Sequence, residues 1–246
     1  DRLADLLHGG TRYPAGSRVL EAACGVGAQT VILARNSTSA SFVSIDVSRP
    51  SLLLAEERVR GTSCSMVFFH QADVYHLPFR DEIFDHIFVC FLLEHLADPI
   101  LALESLKAVL RPGGTITVIE GDHGSALFYP ESPDANRVIG CLVDIQASMG
   151  GNACIGRKVL HLLQEAGFSG VTISPLTICS DGSHPESREA VRKIFIAMVE
   201  GVREEALARG LVDAKSWEKG MEDLRRTTEP GGMFCYTFFK AIGVKE

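Results

Sequence analysis

"VLEAACGVGAQT", residues 19–30, is a β-type run that ends on an acidic residue, Glu21, and breaks into a turn at Gly25-Val26-Gly27. A strand, a glycine turn and a helix in this order predict the opening of an open α/β sheet, whose ligands sit outside the carboxyl ends of the strands. A dinucleotide fingerprint needs a third glycine for close packing at a pyrophosphate-binding helix N-terminus, whereas Ala28, Gln29 and Thr30 follow here. No Gly-Lys-Ser/Thr ending is present either, so nicotinamide and ATP readings weaken. A ligand with no phosphate and a zwitterionic tail fits the turn better. Gly25 and Gly27 would let it approach bare backbone. Glu21 would act on its tail, directly or through local hydrogen bonds.

Outward from this turn, strand-like and helix-like stretches alternate to about residue 121, the pattern of a parallel sheet with crossover helices. Strands are expected at 18–23, 41–46, 66–71, 85–91 and 115–120, and helices at 27–36, 50–60 and 99–110. Asp98-Pro99 supplies an N-cap and a first-turn proline, and "LRPGG" (110–114) a helix stop followed by a turn. Beyond 121 the rhythm changes: helices at 134–149 and 156–168, a strand at 171–178, a charge-rich helical block at 185–228 and a closing strand at 231–243. No repeat or linker marks a second domain, so residues 1–246 read as one domain, with 18–121 as ligand-binding core and 122–170 and 180–230 as a helical cap.

Three further stretches carry chemistry. In "SFVSIDVS", Asp46 ends the second strand, where a carboxylate suits the two hydroxyls of a ribose; capping the next helix is the plainer role. In "FFHQADVYHLPF", Asp73 can accept a hydrogen bond from a purine amino group, with Ala72 and Val74 beside the ring. In "FDHIFVCFLLEHLADP", Phe91 is placed to pack on the sugar or the tail of the ligand, and His95 to meet a reacting group.

Together, "VLEAACGVG", "SIDVS", "QADVYHLPF", "FDHIFVCFLLEHL" and "LRPGGTITVIEGD" resemble the class I S-adenosylmethionine-dependent methyltransferases. Among these the chain is similar to the small-molecule enzymes related to the ubiquinone and menaquinone methyltransferases. The resemblance implies a Rossmann-like, mostly parallel seven-stranded sheet, its last strand antiparallel, with helices on both faces. It also implies S-adenosyl-L-methionine as cofactor, held over strands one, two and four. Carried over by position, Glu21, Ala23, Gly25 and Gly27 would hold the methionine part, and Asp46 the ribose with Val47 beside the adenine. Asp73 and Val74 would line the adenine, and Phe91 would flank the sulfonium. The family has glycine where this chain has Ala23, a change that costs little if φ there is negative. Methyl transfer would then go to a small organic acceptor at O, N, S or activated carbon. Its base would come from His123, His95 or Glu120, with Asp122 as an orienter next to His123.

A cofactor-binding scaffold without catalysis is the alternative reading, and a nicotinamide oxidoreductase a second. The cap residues Phe128, Tyr129, Met149 and Asn152 could line the acceptor pocket, and Arg157 could bind an acidic substrate or be paired. A net charge of −7 and the lack of any basic run argue against a nucleic-acid partner. Apolar runs such as 87–93 are strand-length, so no membrane span is expected. The cysteines (24, 64, 90, 141, 154, 179, 235) are scattered and odd in number. They read as reduced, mostly buried residues of a cytoplasmic protein, with no metal site. The amphipathic helix in 186–228 would pack on the cap, or else form a homodimer interface.

Overall fold

The computed structural model describes residues 7–8, 10–60, 62, 66–181 and 186–246. Cys64, and residue 185 at the start of the expected helical block, lie outside these. The core opens with β1 (Arg18–Ala22), α1 (Ala28–Asn36), β2 (Ser41–Asp46), α2 (Arg49–Arg60) and β3 (Val67–Gln71). It continues through β4 (Phe84–Cys90), α3 (Pro99–Val109) and β5 (Leu110–Gly121). The cap and the closing strand follow: β6 (Leu127–Tyr129), α4 (Pro133–Ser148), α5 (Val159–Glu165), β7 (Ser169–Ser180), α6 (Glu186–Gly201), α7 (Arg203–Ala208), α8 (Ala214–Arg226) and β8 (Met233–Val244).

The strands lie in the order β3-β2-β1-β4-β5-β8, the first five parallel and β8 antiparallel, with β7 paired antiparallel to β8. The short β6 was not expected. It pairs with the same residue, Cys235, that pairs with Cys179 of β7, so β6 lies on the edge of β8 opposite β7. That is the edge β5 occupies, from Thr115↔Val244 to Gly121↔Phe238. β6 therefore resumes the lane of β5 after a detour through residues 122–126, and the expected seven-lane sheet stands.

The central strands β1 and β4 and the second half of β5 are buried on both faces, as parallel strands between two helical layers must be, while the edge strands β3 and β7 are largely exposed. Leu20, Ile87, Val89, Ile116 and Val118 face Leu103 and Leu106 of α3 and Leu163 of α5. Val19, Phe42 and Phe88 face Leu33 and Ala34 of α1. The first cap proline works as expected: Asp98 accepts from the Leu101 amide at 3.0 Å, with Pro99 beginning α3. The expected helix 156–168 divides into a 3-10 turn (Ile155–Lys158) and the shorter α5. The charged block becomes three helices whose apolar faces bury Trp217, Val199, Phe195 and Leu224 against α4 and β8. Ser132 caps α4 through the Ala135 amide (3.1 Å) and also donates to Asp223 of α8 (2.7 Å), which fastens the cap layer.

Two expectations are corrected here. Cys179 and Cys235, directly opposite in the β7–β8 register, are joined by a disulfide with a Cα–Cα separation of 4.0 Å, so not every cysteine is a free thiol. Sequence spacing of 56 residues gave no sign of that juxtaposition. Cys24, Cys90, Cys141 and Cys154 are free. Ala23 has φ +60, in the left-handed region where a Cβ is strained, and not the negative φ that would make the family's glycine dispensable.

The turn after β1 has a testable asymmetry. Gly27 has φ +77, and a Cβ there would meet the Ala55 Cβ at 2.9 Å. Gly27→Ala is therefore expected to destabilise the fold by about 2–4 kcal/mol, the sum of left-handed strain and overpacking. Ala23→Gly relieves strain at the cost of a freer unfolded chain, and should gain about 0.5–1 kcal/mol. Urea unfolding of the two variants checks both signs.

Candidate functional site

The carboxyl ends of β1, β2 and β4 meet at one edge, with residues expected to bind ligand gathered there. The β1 turn is locked from two sides: the Cys24 amide donates to the Ile45 carbonyl (2.9 Å) and the Gly25 amide to Asp46 Oδ2 (2.8 Å). The other oxygen of Asp46 accepts from the Ser48 amide at 2.8 Å. A carboxylate offers about four lone-pair sites, so each oxygen of Asp46 keeps one for a diol. Helix capping falls to Ser48, which accepts from the Ser51 amide (3.3 Å).

A Cβ built on Gly25 meets nothing within 4 Å, so the turn opens onto free space, and the Val47 side chain beside it is 69% exposed. Asp73 joins this edge through its neighbour: the Ala72 amide donates to the Asp46 carbonyl (3.1 Å). One Asp73 oxygen takes the Tyr75 amide (2.9 Å) and the other lies 3.8 Å from Nδ1 of the exposed His76. An open turn, a diol-ready carboxylate, an exposed aliphatic side chain and a second carboxylate fit the adenosyl and amino-acid parts of S-adenosylmethionine.

Two expected ligand residues do not present their side chains there. Glu21 is buried, accepting on Oε2 from Thr30 (2.8 Å) and Ser44 (2.6 Å), and burial pushes its carboxyl up to about 7 against those two bonds. Its role is to join β1, β2 and α1 beneath the turn. Val74 is packed into the core with Leu20 and Ile45, which leaves only its backbone for an adenine ring.

Phe91 has φ +55, a genuine outlier for an aromatic residue, and its ring lies 5.7 Å from that of Phe238. The turn it begins is fixed from below by Glu120. Oε1 of that residue accepts from the Leu92 amide (3.0 Å) and the Leu93 amide (2.8 Å), while Oε2 is buried without a partner. Burial first, and Glu94 second, push the Glu120 carboxyl up to about 8. Glu120 is thus a buried anchor and not a base facing substrate.

Beyond Phe91 a cavity of about 530 Å³ opens between the sheet edge and the cap. Its apolar wall is one face of α6, with Val191, Ile194, Phe195 and Met198 at helical spacing, completed by Leu142, Val202 and Phe238. Its polar end holds Glu94, His95, His123, Gln146 and Tyr236, and among the described residues no lysine or arginine lines it. His123 is buried, with Nδ1 2.7 Å from Tyr236 Oη; burial lowers its basicity, while Glu94 and Asp122 raise it. Asp122 does not orient His123. It is taken by Arg157 in a two-pronged pair, Nε–Oδ2 2.6 Å and Nη2–Oδ1 2.8 Å. His95 is 63% exposed, 3.6 Å from Glu94 Oε1.

Phe128, Tyr129, Met149 and Asn152 do not line this cavity. Phe128 is in the cap core, Tyr129 and Met149 are exposed, and Asn152 accepts from the Cys154 amide. The stripe on α6 was legible in "VRKIFIAMVEGV", but helical spacing reads equally as packing. Tyr236 and Glu94 carried no local signal at all.

Residues 20–118 match the methyltransferase-domain family. An uncharacterized methyltransferase of Schizosaccharomyces pombe is 28% identical, over 85% of this chain and 79% of its own. A demethylmenaquinone methyltransferase of Lactobacillus johnsonii is 24% identical, over 74% of this chain and 80% of its own. Among solved structures, a putative methyltransferase from Bacillus halodurans superposes with a TM-score of 0.63 at 19% identity, over 99% of this chain and 98% of that one. The [4+2]-cyclase SpnF gives 0.59 at 21% identity, over 99% of this chain and 80% of that one, so these likenesses speak for the fold.

The Glu120 carboxyl makes a stability prediction. Its folded pKa of about 8 lies above the ordinary 4.5, so between those values the native state holds a proton that the unfolded chain has lost. Stability contributed by this group is present below the lower value and is lost as pH rises towards 8, by roughly 1 kcal/mol per pH unit. Glu120→Gln keeps the Oε1 acceptor and should flatten the decline between pH 6 and 8 in urea titrations. An unchanged slope would assign the proton elsewhere.

Proposed function

We propose, for a chain that belongs to the class I S-adenosylmethionine-dependent methyltransferases, an acceptor that is small, largely apolar and not anionic. The carrying observation is the cavity beyond Phe91: an aliphatic and aromatic wall, one polar end, and, among the described residues, no lysine or arginine in its lining. A phosphate or carboxylate buried there would lack the cationic partner that such groups require. Arg157, the one nearby guanidinium that sequence reading offered to an acidic substrate, is spent on Asp122. The chain's net charge of −7 supports a small molecule over a nucleic acid in the same sense.

The bound cofactor supplies an electrophilic methyl group on a sulfonium with a neutral leaving group. What the chain does is hold, orient and keep out water. In our reading Ala23, Gly25 and Gly27 turn the backbone around the amino-acid end, and Asp46 takes the ribose hydroxyls with its spare lone pairs. Val47 and Asp73 flank the adenine, joined by the backbone of Val74, and Phe91 flanks the sulfonium where its methyl group meets the cavity. Positioning two reactants in line in this way removes several kcal/mol of barrier. The α6 wall excludes water from the place where charge disappears. A cytoplasmic setting is supported by the free Cys24, Cys90, Cys141 and Cys154, and the Cys179–Cys235 disulfide speaks against it.

Asp46→Ala should weaken S-adenosylhomocysteine binding by about 1–3 kcal/mol in calorimetry, the scale of a lost charged hydrogen bond. Unchanged affinity would move the ribose elsewhere. For the acceptor, labelled methyl transfer to a fractionated metabolite extract should put label into the organic-soluble, uncharged fraction. Label retained on an anion exchanger would refute the apolar reading. Met198→Trp, which fills the cavity from α6, should abolish that transfer while leaving S-adenosylhomocysteine binding intact.

A further inference from the structure

We propose that Glu94 is the proton acceptor of this methyltransferase, working opposite His123, which Tyr236 fixes as a hydrogen-bond donor to the same acceptor atom. The inference rests on the cavity beyond Phe91 being the acceptor site.

The first step is the direction of the His123–Tyr236 bond. Burial raises the Tyr236 phenol far above its ordinary range, so the hydroxyl keeps its hydrogen. Among the described residues His123 Nδ1, at 2.7 Å, is its one hydrogen-bond partner. We assign the hydroxyl as donor to Nδ1, and in a neutral imidazole the ring hydrogen then sits on Nε2. Such a ring can donate to an acceptor oxygen but has no free lone pair with which to take a proton. The expectation of His123 as base gives way to His123 as donor.

The second step is elimination among the carboxyl groups. Glu120 faces away, bound to the Leu92 and Leu93 amides, and is protonated at neutral pH. Asp122 is neutralised by Arg157. Glu94 remains, among the described residues the one carboxylate that lines the cavity. Its backbone carbonyl is clamped by the Asn152 amide (2.8 Å) and Gln146 Nε2 (3.0 Å), and Oε2 receives a longer bond from the same amide nitrogen (3.3 Å). Among the described residues Oε1 has only the exposed His95 ring, at 3.6 Å. Besides these, the titratable groups facing Glu94 are Cys90 at the end of β4 and Tyr236 from β8, both kept protonated by burial.

The step balances as follows. A hydroxyl of the phenol or enol type gives its proton to Glu94, and its oxygen lone pair forms the bond to the methyl carbon. The carbon–sulfur bond breaks with its electron pair going to sulfur. One carboxylate and one sulfonium become a carboxylic acid and a thioether, so two opposite charges vanish together. An apolar wall, which stabilises separated charges poorly, favours that discharge.

The test has a readout apart from turnover. The probe is 4-nitrophenol, which ionises near neutral pH and reports its ionisation by absorbance. Titrated across that pH range without cofactor, the wild type should bind the neutral phenol and lose at least tenfold in affinity as the phenol ionises. Glu94→Gln should bind the neutral form several-fold more weakly and show a flattened pH profile, with S-adenosylhomocysteine affinity unchanged. Identical profiles in the two proteins, or no binding of the neutral phenol by the wild type, overturn the assignment. Loss of S-adenosylhomocysteine binding in the wild type itself would instead mark failure of the functional reading on which it rests.

Discussion

The geometry of both halves of the site depends on one buried carboxyl. Glu120, at the end of β5, holds the amides of Leu92 and Leu93 and so fixes the turn that follows β4. That turn begins with Phe91 in a left-handed conformation and ends with Glu94 at the cavity. An aromatic residue at positive φ persists only where its surroundings over-determine it. Here two amides, and the Phe91 amide bound to the Ile119 carbonyl at 3.0 Å, supply that constraint. A water-filled pocket beneath the turn could satisfy the same amides but would not fix the ring.

Burial sorts the acids at the sheet edge by task. Glu21 and Glu120 lie beneath the turns, with burial pushing both carboxyls up, and they act as hydrogen-bonding struts. Asp46 and Asp73 lie at the rim, where solvent and ligand can reach them. Glu94 lies between, lining the cavity but short of partners on one oxygen. Three ionised carboxylates packed around the polar end of one small cavity, of which Glu94 alone lines it among the described residues, would repel one another and be costly to bury. Protonating one, pairing another with Arg157 and leaving the third to react is a solution consistent with that cost.

How much of this was legible in the sequence follows from the range of each interaction. The β1 turn, the Asp98-Pro99 cap and the first four strands are local patterns that appear within a residue or two of where they are expected, whereas β5 begins at Leu110, five residues early, and takes in the "LRPGG" stretch expected as a turn. The ribose-type Asp46 was placed by its position at a strand end, and it does face the open edge. The rest depends on residues far apart in sequence. Tyr236 reads as one more apolar strand residue until β8 brings it to His123, 113 positions away. Likewise, adjacency suggested Asp122 as the partner of His123, yet a 3-10 turn sends the two side chains apart and Arg157, 35 positions on, claims the carboxylate. Ala23 is a different case. Sequence named it as a departure but could not give its φ.

The detour between β5 and β6 shows why the site sits where it does. Had β5 run straight along β8, residues 122–126 would have lain in the sheet, with side chains alternating between its two helical layers. Leaving the lane after Gly121 and rejoining it at Leu127 turns His123 towards the cavity. It also requires Gly121 itself: a Cβ there would collide with the Tyr236 hydroxyl, so the absence of a side chain is what lets the phenol reach His123. The glycine in "IEGDH" is thus explained by a close approach across the sheet and not by turn chemistry. A substitution at that position would displace the donor that the polar end of the cavity offers, without touching any residue that faces the cofactor edge.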